Sequence, residues 1–175
     1  MILIKNGRVM DPANNRDGNF DVLVDKALIK AIDHPGKISL ANKDNVKTMD
    51  ATGMVVAPGF IDMHVHFREP GFEYKETIET GCQSAVAGGF TSVAVMPNTL
   101  PVNDTRSVTE MIQARSRKLG MSNVYPIGAI TQGLRGEKLS EMADMKDAGA
   151  IAFSDDGRPV MNSELMRRAL EYSKM

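Results

Sequence analysis

A single cysteine, Cys82, is the only thiol in these 175 residues, so no disulfide can form within the chain. Such usage fits a reducing compartment, and the cytoplasm is the expected location. An excess of either charge is missing too: 21 basic side chains stand against 22 acidic ones, for a formal net charge of -1. That balance lacks the basic footprint that nucleic-acid binding needs, and it points instead to a small-molecule ligand. Long apolar runs are absent as well. Lys5 and Asn6 fall where the apolar part of a signal peptide would have to lie, and no later stretch approaches the roughly 20 residues of a membrane span. Neither secretion nor membrane insertion is expected. What is present is ordinary globular material, 42% hydrophobic and 25% charged, enough for one sizeable core.

Two textures divide the chain. Residues 1–57 read as short strands and turns, with strand signals at 1–4 and 20–24, and turn signals at Asn6-Gly7 and Asp11-Pro12. A polar loop over 34–46 then leads back to β-favouring residues at 48–56. This predicts part of a small β domain. Residues 58–175 alternate strand and helix. Strands are expected at 60–67, 91–96, 124–130 and 150–154, and helices near 76–87, 108–119, 138–148 and from about 163 onward toward Met175. The strands are apolar along most of their length, which predicts a parallel sheet covered on both faces.

Four such units fit either a doubly wound sheet or the first half of a (β/α)8 barrel. The polar residues favour the barrel, because barrels gather their chemistry at the carboxyl ends of their strands. His64-Val65-His66-Phe67-Arg68 closes the first strand, Pro97-Asn98-Thr99 follows the second, and Asp155-Asp156-Gly157 follows the fourth.

His64 and His66 are two residues apart, so on a strand their imidazoles leave one face while Val65 and Phe67 point to the covering helices. Two neutral imidazoles form a donor set suited to zinc. Asp62 shares their parity and is a possible acceptor for a ring N–H. Arg68, on the same face just past the strand, offers bidentate donors suited to a substrate carboxylate. A carboxylate from Asp155 or Asp156 can reach across a barrel mouth toward the histidines, although Asp-Asp-Gly is also an ordinary turn. Asn98 is a turn former or an amide that orients an anionic ligand. The remaining candidates read as structural: Cys82 as core, His34 as surface, and the 13 methionines as gap-filling core.

These residues resemble a known family. Ala57-Pro58-Gly59-Phe60-Ile61-Asp62-Met63-His64-Val65-His66-Phe67-Arg68-Glu69-Pro70-Gly71 is similar to the signature of bacterial type I dihydroorotases in the amidohydrolase superfamily. Met96-Pro97-Asn98-Thr99, Ala152-Phe153-Ser154-Asp155-Asp156-Gly157 and the opening Ile4-Lys5-Asn6-Gly7 extend the likeness along the chain. The resemblance implies a metal-dependent hydrolase barrel with a small β domain, and reversible hydrolysis of the cyclic amide of dihydroorotate in pyrimidine synthesis. It implies two zinc ions that activate water toward the amide carbonyl, with His64 and His66 on the first and Asp156 bridging both. Asp156 is chosen over Asp155 because the family's ligand directly precedes the glycine. Arg68 and Asn98, with His66 beside them, would hold the substrate. A homodimer or a complex with aspartate transcarbamoylase is the implied assembly.

One departure stands out: with only His34, His64 and His66 available, the family's further imidazole ligands and its general acid–base group are expected beyond residue 175. The chain is therefore expected to be a fragment with about four of eight βα units, inactive alone. Alternative readings are another cyclic amidase, such as an allantoinase or hydantoinase, or a non-catalytic relative that scaffolds a transcarbamoylase. Arg68 argues against the first and the retained His64, His66 and Asp156 against the second.

Overall fold

A computed structural model describes residues 1–40 and 45–174, so residues 41–44 of the expected polar loop and Met175 lie outside the described residues. The chain divides into two compact units, Met1–Pro58 and one that begins at Gly59. Among the described residues no helix is long and apolar enough to cross a membrane.

The first unit is a sheet built from β1 (Ile2–Asp11), β2 (Arg16–Asp25), β3 (Leu28–Asp33), β4 (Lys47–Asp50) and β5 (Val55–Val56). Its order is β3-β2-β1-β4, with β5 also paired to β1. The Asn6-Gly7 turn signal turns out to lie inside one long strand. The register of β1 against β2 shifts between Ile4 and Gly7, and Asn6 takes a left-handed φ of 61°. Asn tolerates that conformation and a bulge uses it, so the chain bends without reversing. The reversal comes later, where Pro12–Asn14 form a 3-10 turn closed by Asn15. Asp21, almost fully buried, secures this unit by accepting the N–H groups of Asn6 at 2.9 Å and Gly36 at 2.8 Å.

In the second unit β6 (Phe60–Val65), β7 (Phe90–Val95), β8 (Asn123–Gly128) and β9 (Ala152–Phe153) form a parallel sheet in the order β6-β7-β8-β9. Spatial order follows chain order with no reversal. Right-handed crossovers then place every helix on one face, as in the first half of a barrel and unlike a doubly wound sheet. Helices α1 (Ile78–Ala87), α2 (Arg106–Leu119), α3 (Met142–Asp147) and α4 (Ser163–Tyr172) follow the successive strands.

The helices begin where the sequence supplies caps. Thr77 Oγ1 accepts the Thr80 N–H at 3.1 Å while Thr80 Oγ1 accepts the Thr77 N–H at 3.1 Å, a reciprocal cap on α1. Asn162 Oδ1 accepts the N–H groups of Glu164 and Leu165 to start α4. Gly120, left-handed at φ 61°, ends α2.

One core joins Phe67, Ile78, Cys82, Val93, Val95, Val108, Ile112 and Val124 between α1, α2 and the sheet. A second gathers Met142, Met145, Ala150 and Ala169 around α3 and α4, and Ala94, Met96 and Ile127 form a third. Cys82 is fully buried, as a core residue should be.

Three expectations are revised. The third helix is shorter than its apolar pattern suggested, because Gln132–Leu134 form a 3-10 turn and Thr131 bridges to Leu139 before α3 starts. Nor is every strand covered on both faces: Ile61 and Met63 of the edge strand β6 are exposed, and so is Met161, so the methionines are not uniformly core.

Candidate metal centre

The residues singled out by sequence lie at the carboxyl ends of three parallel strands. His64 is on β6 and His66 is the first residue but one after it along the alternating face, with Val65 between them tied to β7 by its carbonyl, which accepts the Met96 N–H at 2.9 Å. Phe67 turns the other way into the core against α1, in keeping with the period-two alternation. The two imidazoles meet edge to face with ring centroids 5.2 Å apart.

Asp156 arrives from the turn after β9. Its Oδ1 lies 3.3 Å from His64 Nε2 and its Oδ2 lies 3.6 Å from His66 Nε2. One donor atom from each of His64, His66 and Asp156 falls within 4.8 Å of the others. Its neighbour Asp155 is buried and committed elsewhere, with Oδ1 accepting the N–H groups of Ile130 at 2.8 Å and Thr131 at 3.0 Å, and Oδ2 accepting the Thr131 hydroxyl.

Asn98, from the loop after β7, connects the cluster. Its Nδ2 donates to Asp156 Oδ2 at 3.1 Å, and its Oδ1 faces His66 Nδ1 at 3.0 Å and Arg68 Nη1 at 3.5 Å. The amide has only one consistent orientation, because a carboxylate only accepts and a guanidinium only donates. His66 Nδ1 is then the donor to Asn98, and Nε2 is the ring nitrogen turned toward Asp156.

With His64 Nε2 it faces the Asp156 carboxylate, and two imidazole nitrogens turned to one carboxylate form a donor set that a cation can share. The spacing suits one. Donors bonded to zinc at about 2.0–2.1 Å in tetrahedral geometry lie roughly 3.3 Å from each other; the two histidine–Asp156 separations are 3.3 and 3.6 Å, and all three donors fall within 4.8 Å. A nitrogen, nitrogen, carboxylate set with His64 half exposed also leaves room for further ligands.

Asp62 takes a different part from the one expected. Its Oδ1 accepts the main-chain N–H of His64 at 3.0 Å rather than a ring N–H, which holds the strand end beneath the histidine. His34 lies in the first unit, stacked on Phe20.

Sequence reading passed over the groups that hold the loops. Asn103 is fully buried, donating to the Ile127 carbonyl at 2.9 Å and accepting the Thr109 hydroxyl at 2.8 Å, which ties the loop after β7 to β8 and α2. Glu69, next to Arg68, is buried and paired with Arg115 of α2. An asparagine in a turn-rich stretch and a glutamate beside a proline carry no local sign of burial.

The family model described as "Dihydro-orotase-like" matches residues 53–175. Among curated relatives, the chain is 56% identical over 173 residues to a dihydroorotase of Geobacter sulfurreducens, covering 99% of this chain and 40% of that protein. It is 53% identical to a dihydroorotase of Syntrophus aciditrophicus, covering 98% of this chain and 40% of that one. The chain thus spans about 40% of the length of the curated relatives it matches. In three dimensions it is similar to the L-hydantoinase (dihydropyrimidinase) from Arthrobacter aurescens, with a TM-score of 0.77 at 24% identity over 98% of this chain and 38% of that one. It also resembles the N-acyl-D-glutamate deacylase from Bordetella bronchiseptica, solved with zinc and a phosphonate inhibitor, with a TM-score of 0.62 at 20% identity over 98% of this chain and 43% of that one. At such identities the structural likeness establishes the fold alone, the opening strand and helix units of a (β/α)8 barrel.

Proposed function

The chain belongs to the dihydro-orotase-like family, and from that premise we propose that it supplies part of a zinc site that reversibly hydrolyses the cyclic amide of dihydroorotate to N-carbamoyl-aspartate. The observation that carries the reading is the convergence of His64, His66 and Asp156 within 4.8 Å, with Arg68 and Asn98 alongside. In this reading His64 and His66 would hold the first zinc, Asp156 would supply a carboxylate ligand to the pair, and Arg68 and Asn98 would receive the ring carboxylate beside His66.

A zinc pair held there would supply Lewis acidity toward the amide carbonyl and bring the acidity of water into the neutral range. The protein's residues supply orientation. The Asn98 carbonyl accepts from His66 Nδ1, which would orient the ring with Nε2 toward the metal. Arg68 offers two parallel donors to a carboxylate, which fixes the plane of the ring and presents its amide to the cluster. Delivery of a proton to the leaving nitrogen is assigned to the part of the family's length that this chain does not span.

A hydantoinase-like activity is the second reading, favoured by the similarity in fold to the Arthrobacter aurescens enzyme. Arg68 weighs against it, since a guanidinium suits a ring that bears a carboxylate. Initial rates of the complete gene product with zinc on dihydroorotate, hydantoin and allantoin decide the matter. Dihydroorotate should lead; preference for a neutral ring would move the assignment to another cyclic amidase, and no turnover of any ring would leave a non-catalytic relative.

A further inference from the structure

We infer that Glu69, backed by Arg115, is a positioning residue for the Arg68 guanidinium and thereby sets the affinity of the site for a carboxylate-bearing ring. The inference rests on the dihydroorotase reading above.

Arg68 and Glu69 are consecutive and point opposite ways. Arg68 extends to Asn98 at the mouth, while the Glu69 carboxylate turns inward, its side chain only 6% exposed. There it is held by two helices at once. Oε1 pairs with Arg115 Nε of α2 at 2.6 Å, and Oε2 accepts the N–H of Ile78, the first residue of α1, at 2.9 Å. That N–H belongs to a helix end, where amide groups have no partner within the helix and favour a negative charge. Two bonds in different directions fix both the position and the plane of the carboxylate.

The backbone between the two side chains has little freedom to absorb a change. The Arg68 carbonyl accepts the Phe72 N–H at 3.0 Å, closing a turn over 68–72. The Pro70 carbonyl accepts the Leu100 N–H at 2.9 Å, joining that turn to the loop that carries Asn98. A Cβ added at Gly71, which sits at φ 95°, would overlap the Leu100 carbonyl, so the two loops are in close contact. Within this tied segment Glu69 is the side chain that anchors the chain to α1 and α2, so its seating helps to set where Arg68 begins.

An ion pair whose arginine is largely exposed adds little stability. What the pair adds is direction. A shift of about 1 Å in a group that orients substrate can cost on the order of 100-fold, and the guanidinium acts on the carboxylate rather than on the breaking bond, so the loss should appear in binding.

The test is steady-state kinetics of the complete zinc-loaded gene product on dihydroorotate, with zinc content measured in parallel, for Glu69→Gln, Arg115→Gln and Arg115→Lys. Arg115 is more than half exposed, so its variants report even if Glu69→Gln fails to fold. KM should rise about tenfold or more in Glu69→Gln and in Arg115→Gln, with kcat within about twofold and zinc content unchanged. Arg115→Lys, which keeps a charge but loses the planar fork, should recover most of the lost affinity. A KM left at the wild-type value in Arg115→Gln, or a fall in kcat or zinc content that outweighs the change in KM, overturns the inference alone. Absence of dihydroorotate turnover in the wild-type protein overturns the functional reading and this inference together.

Discussion

Asp155 and Asp156 are neighbours in the chain whose carboxylates face opposite sides of one strand end. Asp155 is buried on the amides of Ile130 and Thr131, and Asp156 stands 3.3 Å from His64 Nε2. The first satisfies the backbone between β8 and the 3-10 turn, which would otherwise leave buried N–H groups without acceptors. By consuming those donors it also turns its successor outward to the histidines.

The pair should separate stability from metal binding. Asp155→Ala removes a carboxylate that accepts three hydrogen bonds and should lower unfolding stability by about 2–4 kcal/mol. Asp156→Ala should leave stability nearly unchanged and weaken zinc binding. Urea unfolding and zinc titration of both variants check this; equal effects of the two substitutions on zinc affinity would break the assignment of Asp156.

His64→Ala should reduce bound zinc to the level of a control treated with chelator, since one of three converging donors is lost. Elemental analysis of the purified complete protein reads the outcome, and unchanged zinc content would remove His64 from the site.

Burial pushes the Cys82 thiol above its ordinary range, partly opposed by the Ser122 N–H. The neutral thiol is thus favoured in the folded protein. Its contribution to stability is complete below the pKa of an unfolded thiol and is lost as pH rises from there through the folded value. Native protein at pH 8 should resist a thiol-alkylating reagent, whereas denatured protein should take up one equivalent. Labelling at equal rates in both states would show that this core is open.

Gly81 tests the contact between α1 and the strand end. Alanine at a helical glycine ordinarily gains about 0.5–1 kcal/mol, yet a methyl at Gly81 would overlap the buried Phe67 ring. Overpacking of this kind costs about 1–3 kcal/mol, so Gly81→Ala should be destabilising, and it should disturb His66, the residue before Phe67. A rise in melting temperature would show that Phe67 yields without loss.

Much of this protein follows from its sequence alone. The two-residue spacing of His64 and His66 makes their rings share a face through the covalent geometry of any extended chain, with Phe67 opposite. The strand and helix alternation after residue 58, and the polar clusters at three strand ends, foretell a parallel βα architecture with one functional rim. These properties depend on neighbours along the chain. Others required the tertiary structure: why Asp155 turns away from the histidines that the resemblance assigns to Asp156, that Asp62 braces a backbone amide, that the Asn98 amide has a single orientation, and that Glu69 is buried between two helices. In a loop, a polar side chain takes its direction from whichever distant N–H groups, carbonyls and charges need a partner. Those partners lie up to 58 residues away, as between Asn98 and Asp156, and only the packed strands bring them within reach.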